Sequence, residues 1–219
     1  PVITEGAFDS QNVAFWSDHE NCYAAYFRTW SEGGWKGYRW VSRSTSTDFR
    51  TWTPPVAMDK GDAPWEHIYT NQTLPYYRAP HLYISIAARF MPHRRVISPE
   101  EAARIGVAPD YFDDCSDCVL MTSRGGNRYD RTFMEGFLKP GIGPENWISR
   151  TNYPVYGLVP AGETGMSLYI QQNYAQPTHR VRRYELRPDG FVSISAPYAG
   201  GEFLTKVFTF AGTELHLNF

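Results

Sequence analysis

Two carboxylates have the positions and neighbours needed for acid–base chemistry on a sugar. Cleavage of a glycosidic bond needs one acid that protonates the leaving oxygen and one carboxylate that acts as nucleophile or base. Asp9 stands just before an apolar segment, residues 13–16, and is the candidate carboxylate, although such a residue can also simply cap a turn. Glu135 is the candidate acid, because its apolar neighbours could raise its pKa. The alternative for Glu135 is a surface carboxylate on an edge strand.

Six further polar side chains lie near the starts or along the lengths of predicted strands, and they are candidates for substrate binding. They could bind sugar hydroxyls or an acidic group, and the arginines among them could instead hold carboxylates in place or form salt bridges between neighbouring sheets. These residues are Asn12, Arg28, Arg78, His81, Arg89 and Arg150.

A Cys-x-x-Cys pair, Cys115 and Cys118, could bind a metal or react as a redox pair. A zinc site needs further ligands, usually as a second closely spaced pair, and the sequence offers none. The third cysteine, Cys22, is distant in sequence, and an odd number of cysteines argues against a dense disulfide framework. The prediction is therefore two small, partly buried thiols at a junction between a loop and a strand, with no metal and no cofactor.

The composition favours strands and contact with sugars. Aromatic residues make up 16% of the 219 residues, and they suit the pleated, half-buried surface of a sheet. Their flat rings can also stack on sugars, although most are expected in the core. The net charge is −2 with no basic stripe, which argues against nucleic acid as a partner. No apolar run is long enough to span a membrane.

The apolar residues of the chain alternate with polar ones in most segments, which predicts strands. Polar or glycine-containing turns separate the strands, and the pattern of a four-stranded meander recurs about three times, over residues 1–60, 61–140 and 141–199. The predicted strands include a short outer strand that begins at Trp52, a strand over residues 72–77 and a strand over residues 155–159. A short helix is predicted over residues 98–106, where Ser98 caps, Pro99 comes first and Gly106 ends it.

Recurring four-stranded meanders are typical of β-propeller blades, so the predicted fold class is an all-β propeller. Residues 200–219 are predicted to form a hairpin, either closing the propeller or beginning a truncated β-sandwich. Three blades do not close a ring, and open blades expose strand edges and apolar faces. The chain is therefore expected to self-associate through its open blade edges. It begins without Met or a signal peptide, which indicates a processed product or part of a longer reading frame.

Several sequence segments resemble bacterial five-bladed β-propeller proteins related in fold to glycoside hydrolase families 32 and 43. The similarity spans essentially the whole chain. The segments that match are Phe8-Asp9-Ser10-Gln11-Asn12-Val13-Ala14-Phe15-Trp16, Tyr77-Arg78-Ala79-Pro80-His81, Asn146-Trp147-Ile148-Ser149-Arg150-Thr151-Asn152-Tyr153 and Gly200-Gly201-Glu202-Phe203-Leu204-Thr205-Lys206.

The resemblance implies a chain that holds the later three blades of five, followed in longer relatives by a β-sandwich. It also implies catalytic carboxylates on the inner strands of the first three blades, so that only Asp9 falls at a matching position. The chain is therefore expected to be inactive by itself. Relatives that degrade polysaccharides are secreted or periplasmic, which makes export an expectation here.

Two functions follow as hypotheses, and they differ in what the central cleft must contain. The first is a glycoside hydrolase-like protein acting on an oligosaccharide or polysaccharide. The second is a propeller that binds carbohydrate, or another partner, without catalysis. Two carboxylates roughly 5–10 Å apart across a polar cleft would favour the hydrolase. A cleft lined by aromatic rings without such a pair would favour the binding protein.

Overall fold

The computed structural model describes residues 2–215 and shows an all-β protein. The described residues contain three separate antiparallel sheets and one α-helix, and every strand and helix lies before residue 189. The chain forms two units, Pro1–Pro188 and Asp189–Phe219. Within residues 2–215, no helix combines the length and the apolar character that crossing a membrane requires.

The first sheet is a four-stranded meander in which each strand pairs with the next along the chain. The second strand of this sheet is covered on both of its faces, since its central five residues are buried. The outer strand begins later than the sequence predicted, after Pro54 and Pro55 rather than at Trp52, because proline has no N–H to donate to a sheet. The strands are β1 (Val13–Ser17), β2 (Cys22–Trp30), β3 (Arg39–Ser46) and β4 (Val56–Ala57).

The second sheet has an inner strand in two pieces, both paired with the same long strand. Asn71 and Gln72 separate the pieces, and Gln72 has a left-handed φ of 53°. The sequence pattern predicted a strand only over residues 72–77, which corresponds to the second piece. The strands are β5 (His67–Thr70), β6 (Thr73–Tyr76), β7 (Ala79–Met91), β8 (Cys115–Ser123) and β9 (Gly136–Leu138).

The third sheet also has a divided inner strand. The sequence predicted a strand over residues 155–159, and this prediction is wrong, because the backbone leaves the sheet between Pro154 and Val159. Its last strand pairs only with the strand before it and is mostly exposed. The strands are β10 (Tyr153–Pro154), β11 (Val159–Pro160), β12 (Met166–Gln172) and β13 (Arg180–Leu186).

The first two sheets share one hydrophobic core. Side chains from β2 and β3 pack against side chains from β5, β7 and β8, and partly buried residues of β1 cover the edge. Burial of large aromatic residues contributes about 2–3 kcal/mol each to this packing. The largest members are Tyr26, Trp40, Tyr83 and Tyr129, all at most 2% exposed.

The predicted helix is confirmed as α1 (Pro99–Ile105), in the connection between β7 and β8. Ser98 accepts a hydrogen bond from the backbone of Glu101, and the Glu101 side chain accepts one from the backbone of Ser98. Gly106 ends the helix with a left-handed φ of 73°. A small second core joins the helix to residues 144–148, since Ala102 and Ile148 are buried together.

The second unit contains no strand or helix in its described part, residues 189–215. Most of its apolar side chains are exposed, including Tyr198, Leu204 and Val207. The predicted hairpin over residues 200–219 is therefore not formed in residues 200–215, and residues 216–219 lie outside the described part of the chain.

Candidate functional site

The segments that lead into the inner strands of the three sheets meet at one place. Ser10, before β1, donates a hydrogen bond from its hydroxyl to the backbone carbonyl of Tyr69 in β5, 3.2 Å away. The side chains of Gln11 and Gln72 are hydrogen-bonded to each other. Gln171 of β12 donates to the backbone carbonyl of Arg150 at 3.0 Å and thereby fixes the segment before β10.

Three of these leading segments hold non-glycine residues in the left-handed region of the backbone. Phe8, Gln72, Arg150 and Asn152 have φ between 46° and 67°. Such conformations cost on the order of 1–3 kcal/mol each and persist only where the surroundings enforce them, which occurs often at functional sites. Their concentration at the meeting point of the inner strands favours a functional site there.

Five side chains at this meeting point form what we call the strand-end cluster: Asp9, Arg28, Arg39, Tyr69 and Arg150. The Tyr69 ring lies at its centre, with the guanidinium carbon of Arg28 4.4 Å from the ring centroid, that of Arg39 5.2 Å away and that of Arg150 5.8 Å away. The carboxylate of Asp9 forms an ion pair with Arg28. The structure thus brings three of the predicted site residues together, Asp9, Arg28 and Arg150.

The strand-end cluster is strongly positive and partly shielded from water. Arg28 is only 3% exposed, and its Nε and Nη1 atoms have no hydrogen-bond partner within residues 2–215; the same holds for Nε of Arg39. Burial, together with the like charges of Arg28 and Arg150, lowers the pKa of Arg39. Burial would raise the pKa of Tyr69, but hydrogen bonding and positive charge from Arg150 and Arg28 outweigh it and lower that pKa.

A second feature, which we call the tryptophan groove, is an open cavity of about 500 Å³ beside the loop between β2 and β3. Four indole rings line it, those of Trp30, Trp35, Trp40 and Trp65. Trp35 is 61% exposed and Trp65 is 43% exposed, although both are large apolar residues. The ring centroids of Trp30 and Trp35 are 5.9 Å apart, and those of Trp40 and Trp65 are 5.4 Å apart. Trp35 and Trp65 thus expose large apolar surfaces at the groove, and contiguous exposed apolar surface often marks an interaction site.

The tryptophan groove adjoins the strand-end cluster through one residue. Trp30 lines the groove, and the guanidinium carbons of Arg39 and Arg28 lie 4.6 Å and 6.0 Å from its ring centroid. Trp30 and Arg39 are opposite each other in the antiparallel pairing of β2 and β3, so they share one face of the sheet. One ligand could therefore contact the indoles and the arginines together.

Sequence reasoning missed six residues of these two features: Arg39, Tyr69, Trp30, Trp35, Trp40 and Trp65. Arg39 is the first residue of β3, and Tyr69 lies in β5, a four-residue strand that the sequence pattern did not predict. Trp35 stands in a glycine-rich loop between two predicted strands, where an aromatic residue has no core to fill, and this signal could have identified it.

The second catalytic candidate, Glu135, lies in another cleft. Its side chain is exposed and forms an ion pair with Lys139 at 2.9 Å. Hydrogen bonding and positive charge from Lys139 lower its pKa, so the expectation that apolar neighbours raise that pKa is wrong. Arg89 borders the same cleft, of about 410 Å³, and binds the Asp117 carboxylate with two hydrogen bonds of 2.9 and 2.6 Å. Arg89 also bonds Glu66 at 2.6 Å, so this predicted ligand already has carboxylate partners.

The three remaining candidates are not members of the strand-end cluster. Arg78 is in the turn between β6 and β7, and His81 is near the start of β7, where its ring is 6.2 Å from that of His19. Eight residues of extended strand, about 26 Å, separate His81 from Arg89, which pairs with the strand of Tyr69. Asn12 borders a smaller cleft near Gln72, and its side chain donates to the Ser10 backbone carbonyl at 2.9 Å.

The two cysteines of the Cys-x-x-Cys pair are free and buried in β8. The thiol of Cys118 contacts the backbone oxygen of Asn152 at 2.6 Å. Burial raises the pKa of Cys115 and of Cys118, which disfavours the thiolate that a metal ligand or a nucleophile requires. No group of three potential metal ligands occurs among the residues that the structure describes.

Comparisons with known proteins give one result, which concerns the fold. No family model matches the chain, and no curated protein matches it. Among solved structures it is similar to an N-acetylgalactosamine deacetylase from F. plautii, determined in complex with blood group B trisaccharide. The TM-score is 0.51 at 12% identity, over 85% of this chain and 52% of that one. The chain thus spans about half the length of the structure it matches, and at this identity the likeness shows a shared fold.

Proposed function

We propose that this protein binds an oligosaccharide or polysaccharide, with the tryptophan groove as its sugar-contacting surface. The observation behind the proposal is an open cavity of about 500 Å³ with the exposed indole rings of Trp35 and Trp65 and the partly buried ring of Trp30 at its wall, while Trp40 supports the wall from the core. Flat aromatic rings contribute large contact areas at a low cost in conformational entropy, and the apolar faces of sugar rings stack on them. The hydroxyl group of Ser31 also borders the groove, where it accepts a hydrogen bond from the Tyr38 N–H and keeps its own proton to donate to a sugar hydroxyl.

We further propose that the three sheets are blades of a propeller of the glycosidase-like, five-bladed kind. Each sheet contains an up-and-down antiparallel meander, and the inner strands of the sheets are neighbours at one place. The resemblance to proteins related to glycoside hydrolase families 32 and 43 supports the same arrangement. The matched deacetylase structure contains a bound trisaccharide, which supports carbohydrate as the ligand class without indicating a reaction.

Binding without catalysis fits the geometry better than hydrolysis. The one carboxylate of the strand-end cluster, Asp9, forms an ion pair with Arg28, and the cluster contains no second carboxylate that could act as its acid or base partner. The candidate acid Glu135 lies in a separate cleft with a lowered pKa, whereas a general acid needs a raised one. An aromatic groove without a facing carboxylate pair is the feature expected of the binding protein.

The test is a glycan-binding measurement on the full 219-residue chain and its tryptophan variants. For each glycan that the wild-type chain binds, we expect W35A and W65A each to raise the Kd by about tenfold or more, because each variant removes a stacking surface. The control is W16A, since Trp16 is 42% exposed, close to the 43% of Trp65, and lies in β1 outside the groove. Equal effects of W16A and W65A, or no glycan bound at all, would refute the proposal.

The same samples separate binding from hydrolysis. After prolonged incubation of the wild-type chain with each bound glycan, we expect chromatography to recover the glycan intact. Release of shorter products at a rate proportional to protein concentration would favour the hydrolase instead.

A further inference from the structure

We propose that the strand-end cluster binds the anionic group of an acidic sugar, a carboxylate or a sulfate ester, in a ligand whose ring lies in the tryptophan groove. This inference rests on the proposed function and specifies its ligand class. It follows from the positions of Arg28, Arg39 and Arg150 around Tyr69.

The charges of the cluster are not balanced. Three guanidinium groups lie within 5.8 Å of one ring centroid, and the single carboxylate among the cluster residues is that of Asp9. Neither Arg39 nor Arg150 forms an ion pair with any side chain in residues 2–215. Like charges at such spacing repel each other, and the repulsion grows as water is excluded. An anion bound among the three guanidinium groups would offset their mutual repulsion.

The cluster also contains unused hydrogen-bond donors in fixed positions. Nε and Nη1 of Arg28 and Nε of Arg39 are buried without a partner in the described part of the chain. A buried donor left unsatisfied costs about 1–3 kcal/mol, and more for a charged group, so proteins seldom retain several of them together. Guanidinium donors match the oxygens of carboxylate and sulfate groups, which accept two parallel bonds.

The position of Trp30 links this anion site to a sugar rather than to a free ion alone. Its ring lines the tryptophan groove and lies against the guanidinium groups of Arg39 and Arg28. A sugar ring stacked in the groove would therefore place an acidic substituent toward the cluster. A neutral hydroxyl could accept one of the same bonds, but it would leave the excess positive charge unbalanced.

The first experiment uses inorganic sulfate as the probe. We expect sodium sulfate to raise the Tm of the wild-type chain above that in sodium chloride of equal ionic strength, because the folded state would bind the anion. This sulfate-dependent rise in Tm should be lost in R39Q and R150Q. It should be partly kept in R39K and unchanged in R128Q. Arg128 is the control because its exposed side chain pairs only weakly with Asp59, at 3.3 Å. No sulfate-specific increase, or an equal loss in R128Q, would overturn the inference.

The second experiment compares glycans that share a backbone and differ in charge. We expect the chain to bind uronate-containing or sulfated oligosaccharides at least about tenfold more tightly than neutral ones of the same length. R39Q and R150Q should weaken binding of the charged glycans by a much larger factor than binding of the neutral ones, whereas W35A should weaken both by similar factors. Comparing the affinity for uronate-containing oligosaccharides with the affinity for sulfated ones shows which anion the chain prefers.

The outcomes distinguish this inference from the proposed function. Binding of neutral glycans alone would support the proposed function and overturn the acidic ligand. A sulfate effect on Tm without any glycan binding would support an anion site and refute the carbohydrate ligand. If the chain bound no glycan and sulfate did not raise its Tm, both the proposed function and the acidic-ligand inference would be refuted.

Discussion

Glu20 shows how single polar residues join the first two sheets. Its carboxylate, in the turn after β1, accepts hydrogen bonds from Arg43 and from the hydroxyl of Tyr83, both at 2.7 Å, and from the backbone N–H of Gly126 at 2.8 Å. Arg43 belongs to the first sheet, while Tyr83 and Gly126 belong to the second sheet and its following turn. Burial would raise the pKa of Glu20, but the bonds from Gly126, Tyr83 and Arg43 outweigh it and lower that pKa.

We therefore expect E20Q to lower the free energy of unfolding by about 2 kcal/mol at neutral pH, since it weakens charge-assisted hydrogen bonds. The lowered pKa means that the wild type has this contribution above the ordinary glutamate pKa and loses it as the pH falls through the folded-state value. Urea unfolding at pH 7 and in acid measures the difference, which should shrink in acid. A difference that is the same at both pH values would contradict this account.

At the scale of elements, the helix in the β7–β8 connection depends on its cap. The capping box of Ser98 and Glu101 satisfies two backbone N–H groups that the first turn would otherwise leave unpaired. The helix has only seven residues, so it has little stability apart from its cap and its contact with Ile148.

We expect S98A to destabilise α1 by about 1 kcal/mol through loss of this cap. Amide hydrogen exchange in residues 99–105 should become about fivefold faster, with exchange in β7 and β8 unchanged, because the helix can open without the sheet. The matched control is S46A, at a serine outside the helix. Unchanged exchange in the helix of S98A would show that packing on Ile148 alone stabilises it.

The sequence predicted regular elements better than irregular ones, for physical reasons. Alternation identified β1, β2 and β3, and the cap, proline and glycine of α1 are local signals with local causes. The division of the inner strands at Asn71–Gln72 and between Pro154 and Val159 depends on contacts between distant segments, such as those of Gln11 with Gln72. Local alternation therefore could not predict it.

The candidate site was predictable in the same limited way. Asp9 was selected because it precedes a predicted inner strand, and Arg28 and Arg150 were selected as arginines that could bind an acidic group; the structure brings the three together. Tyr69, which the three arginines surround, was not selected because its strand, β5, has no clear alternating pattern. Arg78 and His81 were placed near the same site from their neighbours in sequence, but a long strand separates them from it.

At the scale of the whole molecule, we expect copies of the chain to associate through an exposed strand edge. β13 pairs only with β12, and among the described residues its other edge is unpaired, with Val181 54% exposed. Exposed strand edges with apolar residues tend to pair with other chains. Light scattering coupled to gel filtration at micromolar concentration should therefore give a mass above 25.1 kDa. V181K, which places a charge on the edge, should lower that mass, and a wild-type monomer would refute the expectation.

The burial of Cys115 and Cys118 gives the protein an internal chemical reporter. Both thiols are at 0% exposure in the central strand β8, whereas Cys22 is partly exposed at the start of β2. An alkylating reagent will therefore modify Cys22 first, and the two buried thiols will react only when the second sheet opens. The ratio of singly to triply alkylated chain, read by mass spectrometry, then measures how often that sheet unfolds, without any added label.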